Sequence, residues 1–347
     1  MENEKPTHVR RQRYKGTHPK SFNQKYKEQQ PELYAADIEK VIEQGRTPAG
    51  MHRSICVGEI LEILKIKPKE IGLDATLGYG GHSLEMLKCL ANTGHLYATD
   101  VDPYELPRTQ QRLANLGYGE DCITIKKMNF AGIDQIVYES GLLNFVLADL
   151  GVSSMQIDNP ERGFTFKVEG PLDLRLNPKS GKSAADILTK ISAQKLEELL
   201  IENSDEPYAS YIAQAVVSTI TSGNKITTTT QLKNIIATTL APLRVDDDGI
   251  KKACQRCFQA LRIEVNNEFG VLNQFLDKLP NALATGGRVA ILSFHSGEDR
   301  RVKKSFQRLF REGVYSAIAP DIIRATATEC FTNPRAKSAK LRWAIKA

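Results

Sequence analysis

No stretch of the 347-residue chain approaches 18 consecutive apolar residues, which excludes a membrane-spanning helix. The opening residues, Met1-Glu-Asn-Glu-Lys-Pro, lack the apolar core of a secretory signal, so none is expected. Six cysteines (Cys56, Cys89, Cys122, Cys254, Cys257 and Cys330) are too scattered for a disulfide framework, and a reducing cytoplasm is the expected location. Cys254 and Cys257 form a C-x-x-C pair, but no second cysteine or histidine pair completes a tetrahedral site. Helical packing is the expected role of that pair, and no metal site is expected. With 24 Gly and 15 Pro there is no low-complexity bias, and no internal repeat is found. What remains is a chain 41% apolar, long enough for one large α/β domain with an insertion or for two domains.

The formal net charge of +6 hides a segregated distribution. Residues 1 to 30 carry +5, residues 300 to 311 carry +6 with no acid, and residues 331 to 347 carry +5 with no acid. An anionic polymer would bind such a chain, although solvated helix faces and a tail also account for it. Within residues 1 to 48 the cations interleave with Tyr14, Phe22 and Tyr26 without an apolar period. This reads as a basic, flexible arm that either meets RNA or serves as a solubilising tail.

From Val57 short apolar strands alternate with helices, the pattern of a parallel sheet covered on both faces. Strands are expected at 71–77, 95–100, 123–125 and 143–149, with helices over 82–90 and 103–116. Between about 157 and 280 every periodic segment reads as helix, and Thr227 to Thr230 resembles a helix entry with hydroxyl caps. Strand character returns at Gly286 and near Leu341. The expected organisation is therefore an arm (1–48), a first part of an α/β domain (49–156), a helical insertion (157–265) and a second part (266–347).

Two turns carry chemistry. Asp74-Ala-Thr-Leu-Gly78-Tyr-Gly80-Gly81-His82-Ser83 lies between a strand and a helix, where glycines let backbone approach a ligand. Asp100 ends the next strand, where a carboxylate can take both hydroxyls of a ribose. A dinucleotide site favours Gly or Ala where Ser83 stands, which tilts the reading towards S-adenosylmethionine, a nucleoside ligand without phosphate. The fourth strand ends at Asp149-Leu-Gly-Val-Ser-Ser154-Met-Gln156, a polar mouth at the ligand edge of such a sheet or a capping turn before the insertion.

These motifs, with Pro160-Glu-Arg-Gly-Phe-x-Phe, Gly170-Pro-Leu-Asp173-Leu-Arg, Phe258-Gln-Ala-Leu-Arg-Ile-x-Val-Asn, Gly286-Gly-Arg, Ser293-Phe-His-Ser-x-Glu-Asp-Arg and Asn333-Pro-Arg-Ala-x-Ser-Ala-Lys-Leu-Arg, occur in order from about residue 51 to the end. The chain thereby resembles the bacterial rRNA small-subunit methyltransferase H family, also called MraW. The resemblance implies a Rossmann-like class I S-adenosylmethionine-dependent methyltransferase sheet with an inserted all-helical substrate-recognition domain. It also implies methylation of the exocyclic N4 of a decoding-centre cytidine in 16S rRNA, within a small ribosomal subunit particle. The family's cofactor positions fall on Gly80, Gly81, His82, Asp100, Phe130, Asp149 and Gln156, to which the glycine turn adds Gly78. This chain departs from the family at Met155 (usually Pro), at Gly297 (usually Leu) and over Lys252-Ala-Cys-Gln-Arg256. Those departures bear on the target nucleotide and spare the cofactor positions.

Methyl transfer needs nitrogen, carbon and sulfur in line more than it needs acid–base help, but an acceptor on the amine would orient it and take its proton. Asp149, Asp173 and His295 are the candidates, with Asp149 equally suited to hold the cofactor and His295 to cap the next helix. Acids at the start of that helix, Glu298 and Asp299, suit its dipole. Arg162, Arg175, Arg262, Arg335 and Lys337 could hold phosphates, and Phe164, Phe166 and Phe258 could stack on a base or pack in a core. A different RNA target and a non-catalytic rRNA-binding assembly factor stay open, as does a homodimer. A DNA amino-methyltransferase is disfavoured because Asp149-Leu-Gly-Val stands where [SDN]-P-P-[YFW] belongs, and a nicotinamide dehydrogenase is disfavoured by Ser83.

Overall fold

Residues 54–347 are described by a computed structural model of the chain; the basic arm expected at 1–48 lies outside the described residues. Helix α1 (Val57–Leu64) leads into β1 (Ile71–Asp74), α2 (Gly81–Leu90), β2 (His95–Asp100), α3 (Glu105–Asn115), β3 (Ile123–Lys127), α4 (Ile133–Ser140) and β4 (Leu143–Asp149). A short α5 (Ser154–Asp158) opens the helical stretch, which holds α6 (Ala184–Leu188), α7 (Ala193–Ser204), α8 (Ala209–Thr221), α9 (Thr229–Leu240) and α10 (Asp247–Asn266). Then follow α11 (Glu268–Ala282), β5 (Leu283–Ser293), α12 (Ser296–Arg311), β6 (Tyr315–Ile318), α13 (Ala327–Thr332) and β7 (Lys340–Lys346).

The seven strands form one sheet in the order β3-β2-β1-β4-β5-β7-β6, parallel except that β7 runs antiparallel to both neighbours. Chain order reverses between β1 and β4, and at such a switch point the carboxyl ends of the strands leave a crevice. Along β4 successive residues face opposite cores. Phe145 and Leu147 pack with Leu64, Met86 and Leu113 of one helical layer, while Val146 and Ala148 pack with Ile136, Phe275 and Phe306 of the other. A strand buried on both faces must be apolar almost throughout, which is why Leu143–Asp149 reads as a continuous run.

The helical stretch has a core of its own, built from side chains such as Leu196, Leu199, Ile212, Val216, Leu232, Ile236 and Leu261. Its helices start where the sequence supplies caps: Ser183 with Asp186, Ser192, and Thr228 with Gln231 accept the free N–H groups of α6, α7 and α9. Cys254 and Cys257 are buried in this core on α10, and burial pushes the Cys254 thiol up to about 11 and Cys257 well above its usual value. Neither belongs to a group of metal-ligating side chains among the described residues. Phe164 and Phe258 are buried there as well, and Phe166 packs on Phe258 with ring centroids 5.2 Å apart, so all three aromatics serve packing.

Three features depart from the sequence expectation, the first being that β1 ends at Asp74 rather than at residue 77. The edge strand β6 has only four residues, too few to show a period. Strand β5 begins at Leu283, three residues before the Gly286-Gly287 pair, which sits inside an irregularity in its pairing with β4. No helix among the described residues is long and apolar enough to cross a membrane.

Candidate active site

The turn after β1 is held by side chains of its own motif. Buried Asp74 accepts Ser83 Oγ at 2.6 Å and Thr76 N at 3.1 Å, tying strand to helix. Ser83 therefore stands where a dinucleotide site would have glycine because its hydroxyl braces this turn. Gly80 enters α2 at φ 75°, and a Cβ on Gly81 would lie 2.1 Å from Ser54 Oγ, so neither position admits a side chain without rearrangement. Helix α2 begins with no side-chain cap.

Asp100 at the end of β2 faces the same turn. Its Oδ2 accepts Gly78 N at 2.7 Å and its Oδ1 accepts Asp102 N at 2.8 Å. Each oxygen keeps a second lone pair, enough to take the two hydroxyls of a ribose. Burial pushes the Asp100 carboxyl up to about 6, against those two N–H donors. A ligand bound through the ionised form must first remove that proton. Cofactor affinity measured by calorimetry should therefore be flat above pH 7 and fall about tenfold by pH 5. Asp100→Asn should lose this pH dependence.

The mouth of β4 is the second wall. Asp149 N donates to Thr76 Oγ1 at 2.6 Å, so the two turns are joined. His82 Nε2 lies 3.0 Å from Ile55 O, an acceptor only, and thus carries a proton, which leaves Nδ1 facing Asp149 Oδ2 at 3.5 Å. Asp149 Oδ1 is buried without a partner. Burial pushes Asp149 up to about 6; His82 opposes that rise, while Asp74 and Glu298 add to it.

Ser153 and Gln156 form a reciprocal cap on α5, and Gln156 Nε2 donates to Asp102 Oδ2 at 2.8 Å. Arg162 Nη1 donates to the same oxygen at 2.7 Å, while its Nη2 reaches Leu176 O at 2.8 Å and Arg175 O at 3.2 Å. Arg162 is thus buried with Nη1 and Nη2 engaged by the protein, while its Nε has no hydrogen-bond partner. Burial alone would raise the Asp102 carboxyl, but the Arg162 guanidinium holds it below the usual range.

Past β5, His295 caps α12 by accepting Glu298 N at Nδ1, 3.4 Å away. A neutral ring in that pose carries its proton on Nε2, which lies 3.2 Å from Glu298 Oε1 but makes no hydrogen bond. Burial would raise Glu298, yet His295 and Arg262 hold it low. Arg262 is itself gripped by Glu268, at 2.8 and 2.9 Å. The departure at Gly297 is filled from elsewhere: a Cβ there would meet the Phe269 ring at 2.6 Å, and Arg301 stacks on that ring at 3.5 Å. Arg256, in the other departure, pairs with buried Glu206 at 2.7 Å, and Met155 is a buried residue of α5.

One cavity of about 360 Å³, the size class of small-ligand sites, gathers these groups. Gly78, Gly80, Gly81, His82, Asp100, Phe130, Asp149 and Gln156 all line it, as do His295, Arg262 and Arg335. Asp173 does not: Arg175 grips it at 2.6 and 2.8 Å within its own turn, which consumes both side chains locally. Arg162 and Arg175 are likewise spent on protein partners, whereas Lys337 is exposed and has no ion pair among the described residues. Sequence reasoning missed Thr76, Asp102 and Glu268. Asp102 had a signal, a second acid two residues beyond Asp100; the other two are brought in only by folding.

A glycine turn facing a strand-end carboxylate at the switch point of this strand order fits a nucleoside cofactor. Fold and site together define a methyltransferase of the S-adenosylmethionine-dependent class. Residues 49–347 match the model of the MraW methylase family, and the chain belongs to that family. It is 66% identical over 349 residues to "Ribosomal RNA small subunit methyltransferase H 2" of Alkaliphilus metalliredigens, with all of both chains covered. It is 63% identical over 348 residues to "Ribosomal RNA small subunit methyltransferase H 1" of Lachnoclostridium phytofermentans, covering 100% of this chain and 95% of that one. The corresponding protein of Halorhodospira halophila is 37% identical over 327 residues, covering 89% and 98%.

Proposed function

We propose that the protein methylates small-subunit rRNA in the cytoplasm, on the exocyclic N4 of a decoding-centre cytidine in 16S rRNA, within a small ribosomal subunit particle. The observation that carries the reading is Asp149 Oδ1, a buried acceptor without a partner at the mouth of β4. An exocyclic amine supplies the N–H this oxygen lacks, and accepting it orients the amine, polarises its N–H bond and raises the electron density on nitrogen. S-adenosylmethionine supplies an electrophilic methyl group when bound. As the N–CH₃ bond forms and the S–CH₃ bond breaks, the amine releases one proton, and Asp149 beside His82 accepts it. The positions Gly78, Gly80, Gly81, His82, Asp100, Phe130 and Gln156 hold the cofactor, with Asp100 on the ribose.

His295, with Nδ1 committed to the helix cap, acts as a donor to an acceptor edge of the pyrimidine rather than as a base. Asp173, gripped by Arg175, has no part in the step. Arg335 and Lys337 meet the RNA, while Arg262, paired with Glu268, and Arg162 and Arg175 act by holding the insertion in place. Residues 157–265 form the substrate-recognition insertion, flanked by the two parts of the methyltransferase domain. A decoding-region cytidine is partly unpaired, which lowers the cost of bringing its base to the cavity.

Labelled S-adenosylmethionine incubated with the protein and either naked 16S rRNA or 30S particles should mark one cytidine, at N4, when the RNA is digested and mapped. Label on a different atom would overturn the N4 assignment. A protein that binds cofactor yet labels neither substrate would overturn the enzymatic reading as a whole.

A further inference from the structure

The segment 327–338 carries an exposed aromatic ring two residues before side chains that line the cavity. Asn333, Arg335 and Ser338 line the cavity itself, while Phe331, two residues before Asn333, is 87% exposed. Among the described large apolar residues only Tyr138, on α4, is comparably bare. The ring is displayed from an anchored base. Glu329 accepts Cys56 N at 3.1 and 3.3 Å, and Cys330 packs against the core beneath the sheet. Two inward neighbours on a single helical turn leave Phe331 pointing outward. Thr326 caps α13 by accepting Glu329 N at 3.1 Å, and Arg335 is held by Asp158 at 3.0 Å. Lys337, exposed and without an ion pair among the described residues, stands on the same turn.

We propose that Phe331 is a stacking platform for an unpaired nucleobase next to the target nucleotide, with Lys337 on the adjoining phosphate. This rests on the reading of the protein as an RNA methyltransferase and extends it to a contact outside the catalytic cavity. A base drawn from its stack leaves a neighbour without a partner, and an exposed aromatic face replaces the lost stacking whatever that neighbour's identity. The Lys337 charge supplies the sequence-independent share of the same contact. A solitary exposed aromatic is ordinary on a protein surface; this one is fixed on the same segment as three residues that line the cavity and as Lys337, and is thereby placed to be used.

The test is a set of full-length variants assayed with 16S rRNA and 30S particles. Phe331→Ala should raise KM for the RNA substrate roughly 5- to 150-fold, the range for losing one base–aromatic stack, with cofactor affinity unchanged. Phe331→Leu, apolar but without an aromatic face, should behave like the alanine variant, and Phe331→Trp should keep the native KM. The chain has a single tryptophan, Trp343, so the added indole of Phe331→Trp reports binding directly, and its emission should fall when RNA is added. Lys337→Gln should lower the salt dependence of RNA binding by about one ion. Native KM in Phe331→Ala, full rescue by leucine, or unchanged indole emission with bound RNA would each overturn the proposal while leaving the RNA-methyltransferase reading intact. If the unsubstituted protein labels no RNA, that reading fails on its own, and the indole signal with RNA still decides whether Phe331 stacks.

Discussion

Asp100→Ala is expected to weaken cofactor binding by two orders of magnitude or more, with the protein remaining folded. The carboxylate would accept two ribose hydroxyls, and hydrogen bonds to a charged acceptor are worth about 1.5–3 kcal/mol each. Removing it also frees Gly78 N and Asp102 N, whose positions Asp100 sets at 2.7 and 2.8 Å, so the glycine turn loses its brace. Stability should change little, because burial already disfavours this carboxylate and alanine removes a buried charge. Calorimetry against S-adenosylhomocysteine, with a urea titration of the same sample, separates the two effects. Unchanged affinity would show that the nucleoside sits elsewhere.

Arg162→Met should destabilise the protein by about 3–5 kcal/mol, the usual cost of stranding one half of a buried ion pair. The pair is Arg162–Asp102 at 2.7 Å, with almost no exposed side-chain surface on either partner. Arg162 also holds two carbonyls of the insertion's first turns, and Leu176 N then donates to Asn266 Oδ1 at 2.7 Å where α10 gives way to α11. Loss of the guanidinium should thus loosen the insertion against the cofactor turn. The double variant Arg162→Met with Asp102→Asn should recover part of the loss, since no unpaired charge is left behind. A urea midpoint close to the native one in Arg162→Met would mean that the insertion is held by its apolar contacts alone.

These two residues mark the limit of what a motif reveals. Asp100 was legible because its position, at the end of a strand after a glycine turn, is already chemical information. Arg162 stood inside an equally clear motif, Pro-Glu-Arg-Gly-Phe, yet its charge suggested phosphate. Nothing local announces that its partner is Asp102, sixty residues earlier, so a cation that looked available is spent in the interior. Asp173 was misleading in the opposite direction: a motif carboxylate whose partner, Arg175, is two residues away and leaves nothing for a ligand. His295 illustrates a third case. Sequence offered a base or a cap, and the N–H accepted at Nδ1 makes it a cap, with Nε2 turned to Glu298.

Sequence alone determined the parts that depend on neighbours along the chain. Apolar runs gave the buried strands, hydroxyls gave the helix starts, and the glycine turn followed by Asp100 gave one wall of the cavity. Those signals are local because helix caps, strand alternation and backbone freedom act over a few residues. Only the tertiary structure decided which charges remain available. Pairing in a buried site is set by distances across the sheet and by desolvation, so Asp102 took Arg162, Glu268 took Arg262, and Asp149 kept one oxygen unclaimed.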